Sequence, residues 1–293
     1  MNPLATSIPG KNYFCNGVLF HVIYKGIVQG ACQGENQMEH TIRSEGKFKF
    51  IATGEGKEPL LLLHGLFGAL SNFEDILSYF GARRNVVVPI LPMYEMPLRK
   101  VSVSGLVEHV SEFVEYMGFE KVHVMGNSLG GHIAILFALA HPEKIASIIL
   151  TGSSGLFENA MGSSFPPRSN YEFIKKKTEA TFYNPDVASK ELVDEVFDTV
   201  NDRNKAIRVL ATAKSAIRHN LSDKLHEIKA PTLLVWGRQD IITPPFVGEK
   251  FKELIPHAQL FFIEECGHAP MMEHPETFNK LLEDFLDAVS PEK

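Results

Sequence analysis

From about residue 47 onward, apolar residues come in short, nearly unbroken runs, and between the runs lie stretches with a helical period. The runs at 48–52, 60–63, 86–90, 122–125, 147–150, 232–236 and 260–263 predict strands, several of them continuous enough to be buried on both faces of a parallel sheet. Stretches 73–80, 103–117, 129–140, 247–254 and 277–289 predict the connecting helices. The alternation predicts an α/β protein built on a doubly wound, mostly parallel sheet.

The alternation breaks after Gly152. Residues 153–167 are rich in Ser, Gly and Pro, and three charged helical segments follow at about 171–183, 189–200 and 202–219 before strand character returns beyond Pro231. This predicts a helical cap, 153–227, inserted into a core formed by 46–152 and 228–293. Its expected place is above the carboxyl ends of the strands, where open α/β sheets bind ligands. Residues 1–45 read as a poorly ordered leader. Within it, Gly30-Ala31-Cys32 has some likeness to a lipoprotein cleavage site, but Lys25 interrupts the apolar stretch and only Lys11 precedes it as a basic residue. That stretch is also too short to span a membrane. The expectation is a leader without an export role, Met38 as an alternative start, and a cytoplasmic protein.

Composition narrows the functional classes. The chain has 293 residues, 44% of them hydrophobic and 22% charged, enough to bury a large core. Its net charge is -6, and basic residues are dispersed apart from runs such as Lys175-Lys176-Lys177, which speaks against nucleic acid as a partner. Three cysteines, Cys15, Cys32 and Cys266, make no disulfide scaffold. The histidines are scattered without metal-ligand spacing, and Gly54-Glu55-Gly56-Lys57 lacks the length and the hydroxyl residue of a phosphate loop. Neither metal nor cofactor is expected. Charged cap helices suit self-association into a homo-oligomer or simple solvation equally well.

The chemistry centres on Gly126-Asn127-Ser128-Leu129-Gly130, between a strand run and a helical run. A serine at the tip of so sharp a turn needs neighbours without side chains, and the helix behind it aims N–H groups and a positive dipole end at the hydroxyl. Alternatively Ser128 is an ordinary helix cap. A serine hydroxyl needs a base and a group to orient that base. Asp240 follows the strand ending near Trp236, and His268 follows the strand ending near Ile263, so all three reach the same sheet edge in the order Ser, Asp, His. Asp240 can also be read as a turn residue, and His268 as a surface histidine. His64-Gly65-Leu66-Phe67-Gly68 occupies the loop expected to face Ser128, where the N–H groups of Leu66 and Leu129 would form an oxyanion hole. His64, His123 and His132 read as structural, and His274 as the start of the last helix. Phe67, Phe173 and Phe182 are candidate pocket walls or ordinary packing residues.

Taken in order, the His64-Gly65 loop, the Gly126-to-Gly131 turn, the cap, Gly237-Arg238-Gln239-Asp240 and the segment from Cys266 to Glu276 resemble the α/β-hydrolase superfamily. The last two segments are most similar to the subgroup of carboxylesterases, enol-lactonases and meta-cleavage-product C-C hydrolases. The resemblance implies a Ser-His-Asp hydrolase with no cofactor. It also implies a cap arginine in the C-C hydrolases, where this chain aligns Val196, and a Trp after the histidine, where it has Ala269. Arg203, Arg208 and Arg218 are candidate substitutes. Lacking a planar cation for bidentate carboxylate binding, the chain is expected to cleave small or medium uncharged esters. C-C hydrolysis of dienoates is the alternative, and a hydrolase-like small-molecule receptor is the alternative from another class.

Overall fold

The computed structural model describes residues 41–68, 70–157 and 169–290. Residues 1–40 of the leader, with Cys15, Cys32 and Met38, lie outside the described residues, as do 158–168 of the Ser/Gly/Pro-rich stretch. Eight strands form one sheet: β1 Arg43–Glu45, β2 Phe48–Ala52, β3 Leu60–Leu63, β4 Val86–Pro89, β5 Val122–Asn127, β6 Ile145–Thr151, β7 Thr232–Gly237 and β8 Gln259–Ile263. Their spatial order is β1-β2-β4-β3-β5-β6-β7-β8. The pairings of β1 with β2 and β2 with β4 are antiparallel, and the rest are parallel.

β1 lies within the stretch read as leader. There Arg43 pairs with Phe50 and Glu45 with Phe48, joined through a turn in which Gly46 takes φ 58°. All three β1 residues are exposed, so no apolar pattern marks them. Main-chain pairing at the edge of β2 makes the strand.

The continuous apolar runs have a direct explanation in the two faces of the sheet. Leu61 and Leu63 pack into one core with Phe113, Ile133 and Phe137, whereas Leu60 and Leu62 pack into a second core with Ile76, Phe80 and Phe278. The same alternation divides Leu234 and Trp236 from Leu233 and Val235 in β7. Helices α2 Val103–Tyr116, α3 Leu129–Ala140 and α7 Pro245–Leu254 supply the first core, and α1 Glu74–Phe80 with α9 Pro275–Val289 the second. Each fully buried leucine is worth roughly 1.5–3 kcal/mol of transfer free energy, so a four-leucine strand such as β3 strongly fixes the centre of the sheet. Edge strand β8 instead alternates, with Gln259 and Phe261 exposed.

Between β6 and β7 lie α4 Tyr171–Glu179, α5 Lys190–Asn201 and α6 Arg203–Arg218. Side chains of Asn170, Ser189 and Asp202 cap their first turns by accepting from Phe173, Leu192, and Asn204 with Lys205. The pattern predicted α4 to run to 183. It stops at Glu179, and the residues beyond bond elsewhere: the Thr181 carbonyl accepts from His268 N–H at 2.9 Å, and Tyr183 N–H donates to the Glu273 side chain at 2.7 Å. A short helix, α8 Pro270–Glu273, had no sequence signal beyond Pro270. Among the described residues no helix is long and apolar enough to cross a membrane.

Candidate active site

Ser128 is the single residue between β5 and α3, and its backbone sits at φ 55°, ψ -118°. For a non-glycine residue such a conformation costs about 1–3 kcal/mol and needs surroundings that enforce it. They do so by close approach. A Cβ on Gly130 would stand 1.9 Å from the Leu63 carbonyl oxygen, and one on Gly126 would stand 2.3 Å from Gly130. Ser128 N–H donates to the Thr151 carbonyl at 3.1 Å, and its own carbonyl accepts from Ser154 N–H at 3.1 Å. The side chain makes no capping bond, so Ser128 is not an ordinary helix cap. Among the described residues none is hydrogen-bonded to its hydroxyl, which lines the cavity described below.

Asp240 follows β7 and is buried. Its Oδ1 accepts from the N–H groups of Ile242 and Thr243 at 2.8 and 2.9 Å. Its Oδ2 accepts from the Thr243 hydroxyl at 2.8 Å and pairs with His268 Nδ1 at 2.8 Å. Oδ1 thus faces the turn alone, and Oδ2 faces both Thr243 and His268. Because the carboxylate can only accept here, His268 Nδ1 carries the proton and Nε2 is left as an acceptor.

The loop carrying His268 is tied on every side. Asn127, next to Ser128, donates through Nδ2 to the carbonyls of both Thr151 and His268 at 3.1 Å. Gln239 N–H donates to the Cys266 carbonyl at 2.9 Å, and Cys266 N–H donates back to the Gln239 side chain at 3.0 Å. Glu273 accepts from Gly267 N–H at 2.8 Å. Burial, and then the nearby Glu273, push the Cys266 thiol well above its ordinary pKa, so it stays a neutral packing group.

Four other histidines, His64, His123, His132 and His274, lie outside the Asp240–His268 pair. His64 contacts the Gly65 carbonyl through Nδ1 at 2.9 Å and accepts Leu91 N–H on Nε2 at 3.3 Å, which pins the loop after β3 and fixes the tautomer. Burial keeps its pKa below the ordinary value. His123 lies between the hydroxyls of Ser147 and Ser290, and burial lowers its pKa to about 4. His132 is lowered to about 3, first by burial and then by His219, whose ring centroid is 5.6 Å away. His274 precedes α9 directly.

A cavity of about 340 Å³ opens over Ser128 and His268. Phe67, Phe173 and Phe182 all line it, and so do Leu66, Val196 and Ala269. Leu129 does not line it by its side chain, but as the first residue of α3 its N–H has no intrahelical acceptor. Lys177 is the one permanently charged side chain among the described lining residues, and its ammonium sits 5.8 Å from the Phe173 ring centre. None of the candidate arginines lines the cavity. Arg208 is committed to the carbonyls of Met96 and Asn204 at 3.2 and 3.1 Å. Among the described residues no group of three or more His, Cys, Asp or Glu side chains is placed to hold a metal ion.

Sequence reasoning missed four residues of this constellation. Asn127 was legible only as the variable position of the turn, and Thr243 as part of a proline turn. Glu273 was visible as one acid in the histidine segment, and Lys177 as one member of a basic run. Only folding shows which partner each faces.

Comparison with known proteins gives the family. A model of the alpha/beta hydrolase family matches residues 60–281. A 2-hydroxy-6-oxononadienedioate/2-hydroxy-6-oxononatrienedioate hydrolase of Paraburkholderia phymatum is 30% identical, the match covering 83% of this chain and 92% of that protein. A monoacylglycerol lipase of Xenopus laevis is 26% identical, covering 86% of this chain and 83% of that protein. Among solved structures, an α/β-hydrolase enzyme from the sediment metagenome of the Mar Chica lagoon, Morocco, is 43% identical with a TM-score of 0.70, covering 85% of this chain and 98% of that one. The chain belongs to the alpha/beta hydrolase family.

Proposed function

We propose that this α/β hydrolase cleaves small or medium carboxylic esters through an acyl-enzyme on Ser128. One observation carries the reading: His268, paired with the buried Asp240, and the strained Ser128 line one largely apolar cavity. In the first half-reaction His268 Nε2 takes the Ser128 proton as Oγ bonds to the ester carbonyl carbon. The imidazolium formed is stabilised by Asp240. Collapse breaks the acyl-oxygen bond, and the proton passes from His268 to the departing alkoxide. In the second half-reaction water, deprotonated by the same nitrogen, attacks the acyl carbon and returns Ser128 to its hydroxyl form. The N–H groups of Leu66 and Leu129 are assigned to the carbonyl oxygen as it becomes negative.

A second reading has its own support. Relatives named as dienedioate hydrolases are among the most similar, which favours C-C cleavage by the same serine, histidine and aspartate. A dienedioate carries two carboxylates, however, and among the described residues the cavity wall offers one ammonium, Lys177, with Val196 apolar. The wall suits an ester with an apolar acyl chain better than a dianion.

Hydrolysis of p-nitrophenyl acetate and butyrate should be measured beside that of a 2-hydroxy-6-oxo-dienoate, with wild type and Ser128→Ala. The expected result is ester turnover lost in the variant. Dienoate cleavage without ester turnover would install the second reading, and ester turnover surviving in Ser128→Ala would remove both.

A further inference from the structure

Glu273 uses its two carboxylate oxygens on two different parts of the chain. Oε1 accepts from Gly267 N–H at 2.8 Å, one residue before His268. Oε2 accepts from Tyr183 N–H at 2.7 Å, in the segment that leaves α4. A third bond closes the arrangement, from His268 N–H to the Thr181 carbonyl at 2.9 Å. Between Thr181 and Tyr183 lies Phe182, a wall of the cavity. The two backbones are too close for any side chain to separate them: a Cβ on Gly267 would stand 2.6 Å from the Thr181 oxygen.

We propose that Glu273 is a positioning residue that couples the cavity wall at Phe182 to the placement of His268, so that a substrate filling the cavity also sets the base. This inference rests on the reading of His268 as general base. The wall and the loop share one carboxylate and one direct main-chain bond, so displacement of Phe182 by an acyl chain is passed to His268 through backbone groups. An ordinary structural glutamate would hold one of these segments. Glu273 holds both, and a glutamine cannot replace it, because an amide offers one acceptor oxygen and must face the second N–H with a donor.

The coupling is tested with Glu273→Gln and Glu273→Ala, with Leu286→Ala as a control whose buried side chain lies in the α9 core. A displacement of about 1 Å in a reacting group costs on the order of 10²-fold in rate. For Glu273→Gln we therefore expect kcat on p-nitrophenyl butyrate to fall at least tenfold with KM within threefold. Glu273→Ala should fall further, while Leu286→Ala, although less stable, should keep its kcat per folded molecule. We also expect wild type to turn over butyrate with a higher kcat than acetate, and this ratio to shrink in Glu273→Gln. Hydrogen exchange supplies the arm that does not depend on the substrate: the amides of Tyr183 and of Gly267 with His268 should both exchange faster in Glu273→Gln. Faster exchange on one side alone, or a kcat within twofold of wild type, would overturn the coupling. A wild type inactive on esters but with exchange raised on both sides would overturn the ester reading and leave the tether standing.

Discussion

Replacing Asp240 with Asn keeps the shape of the buried acid and changes one atom, which makes the consequence traceable. Oδ1 holds the turn through two N–H donors, so the amide oxygen of the variant takes that place and the amide nitrogen falls where Oδ2 stood. That nitrogen is a donor facing the Thr243 hydroxyl and His268 Nδ1. The hydroxyl can rotate to accept. The imidazole can accept only by moving its proton to Nε2, and an Nε2–H cannot take the proton of Ser128. Loss of the base by tautomer reversal costs about 10⁴ in rate for the equivalent substitution in serine proteases, which at about 1.36 kcal/mol per decade is about 5.4 kcal/mol of transition-state stabilisation. The assay is kcat/KM on p-nitrophenyl butyrate at constant enzyme folding, monitored by circular dichroism and melting temperature. A fully folded Asp240→Asn within tenfold of wild type would refute the orienting role of this carboxylate.

Gly130→Ala should destabilise the fold strongly, by about 3 kcal/mol or more, because its methyl group would overlap the Leu63 carbonyl oxygen and force α3 from β3; a melting temperature equal to wild type would contradict that close approach. His123 gives a pH dependence. Its folded pKa of about 4 lies below the ordinary 6.5, so as pH falls from 6.5 the unfolded chain takes up a proton that the folded chain refuses, and stability is lost down to about pH 4 and then levels. Urea unfolding at pH 7, 5.5 and 4.5 should show a shallower loss in His123→Gln than in wild type, and parallel losses would contradict the assignment.

The sheet was legible because its central strands are buried on both faces: Leu60–Leu63 and Thr232–Gly237 carry no exposed residue, and such runs are visible without knowledge of partners. Ser128, Asp240 and His268 could be singled out for a related reason, since each lies shortly after a recognisable strand, Ser128 immediately after β5 and the other two in the loops after β7 and β8. What escaped either carries no apolar pattern of its own or was set by partners far away in sequence. β1 exists through hairpin pairing with β2, with three exposed residues, and the chain beyond α4 is held by His268, whose N–H donates to the Thr181 carbonyl, and by Glu273, which accepts from Tyr183 N–H ninety positions away. Lys177 looked like one of three surface lysines until the turn of α4 set it beside the cavity while Lys175 paired with Glu179. Strand order has no local signature either, and the antiparallel insertion of β2 beside β4 followed from no motif.

The most direct test of the account is covalent. A fluorophosphonate ester reacts only with an activated serine, whose oxygen displaces fluoride from phosphorus. Intact-mass and peptide measurements after brief exposure should find one equivalent of adduct, located on Ser128, absent in Ser128→Ala and strongly slowed in His268→Ala. An adduct on another residue, or hydrolytic turnover with Ser128 unmodified, would contradict the claim that Ser128 is the nucleophile.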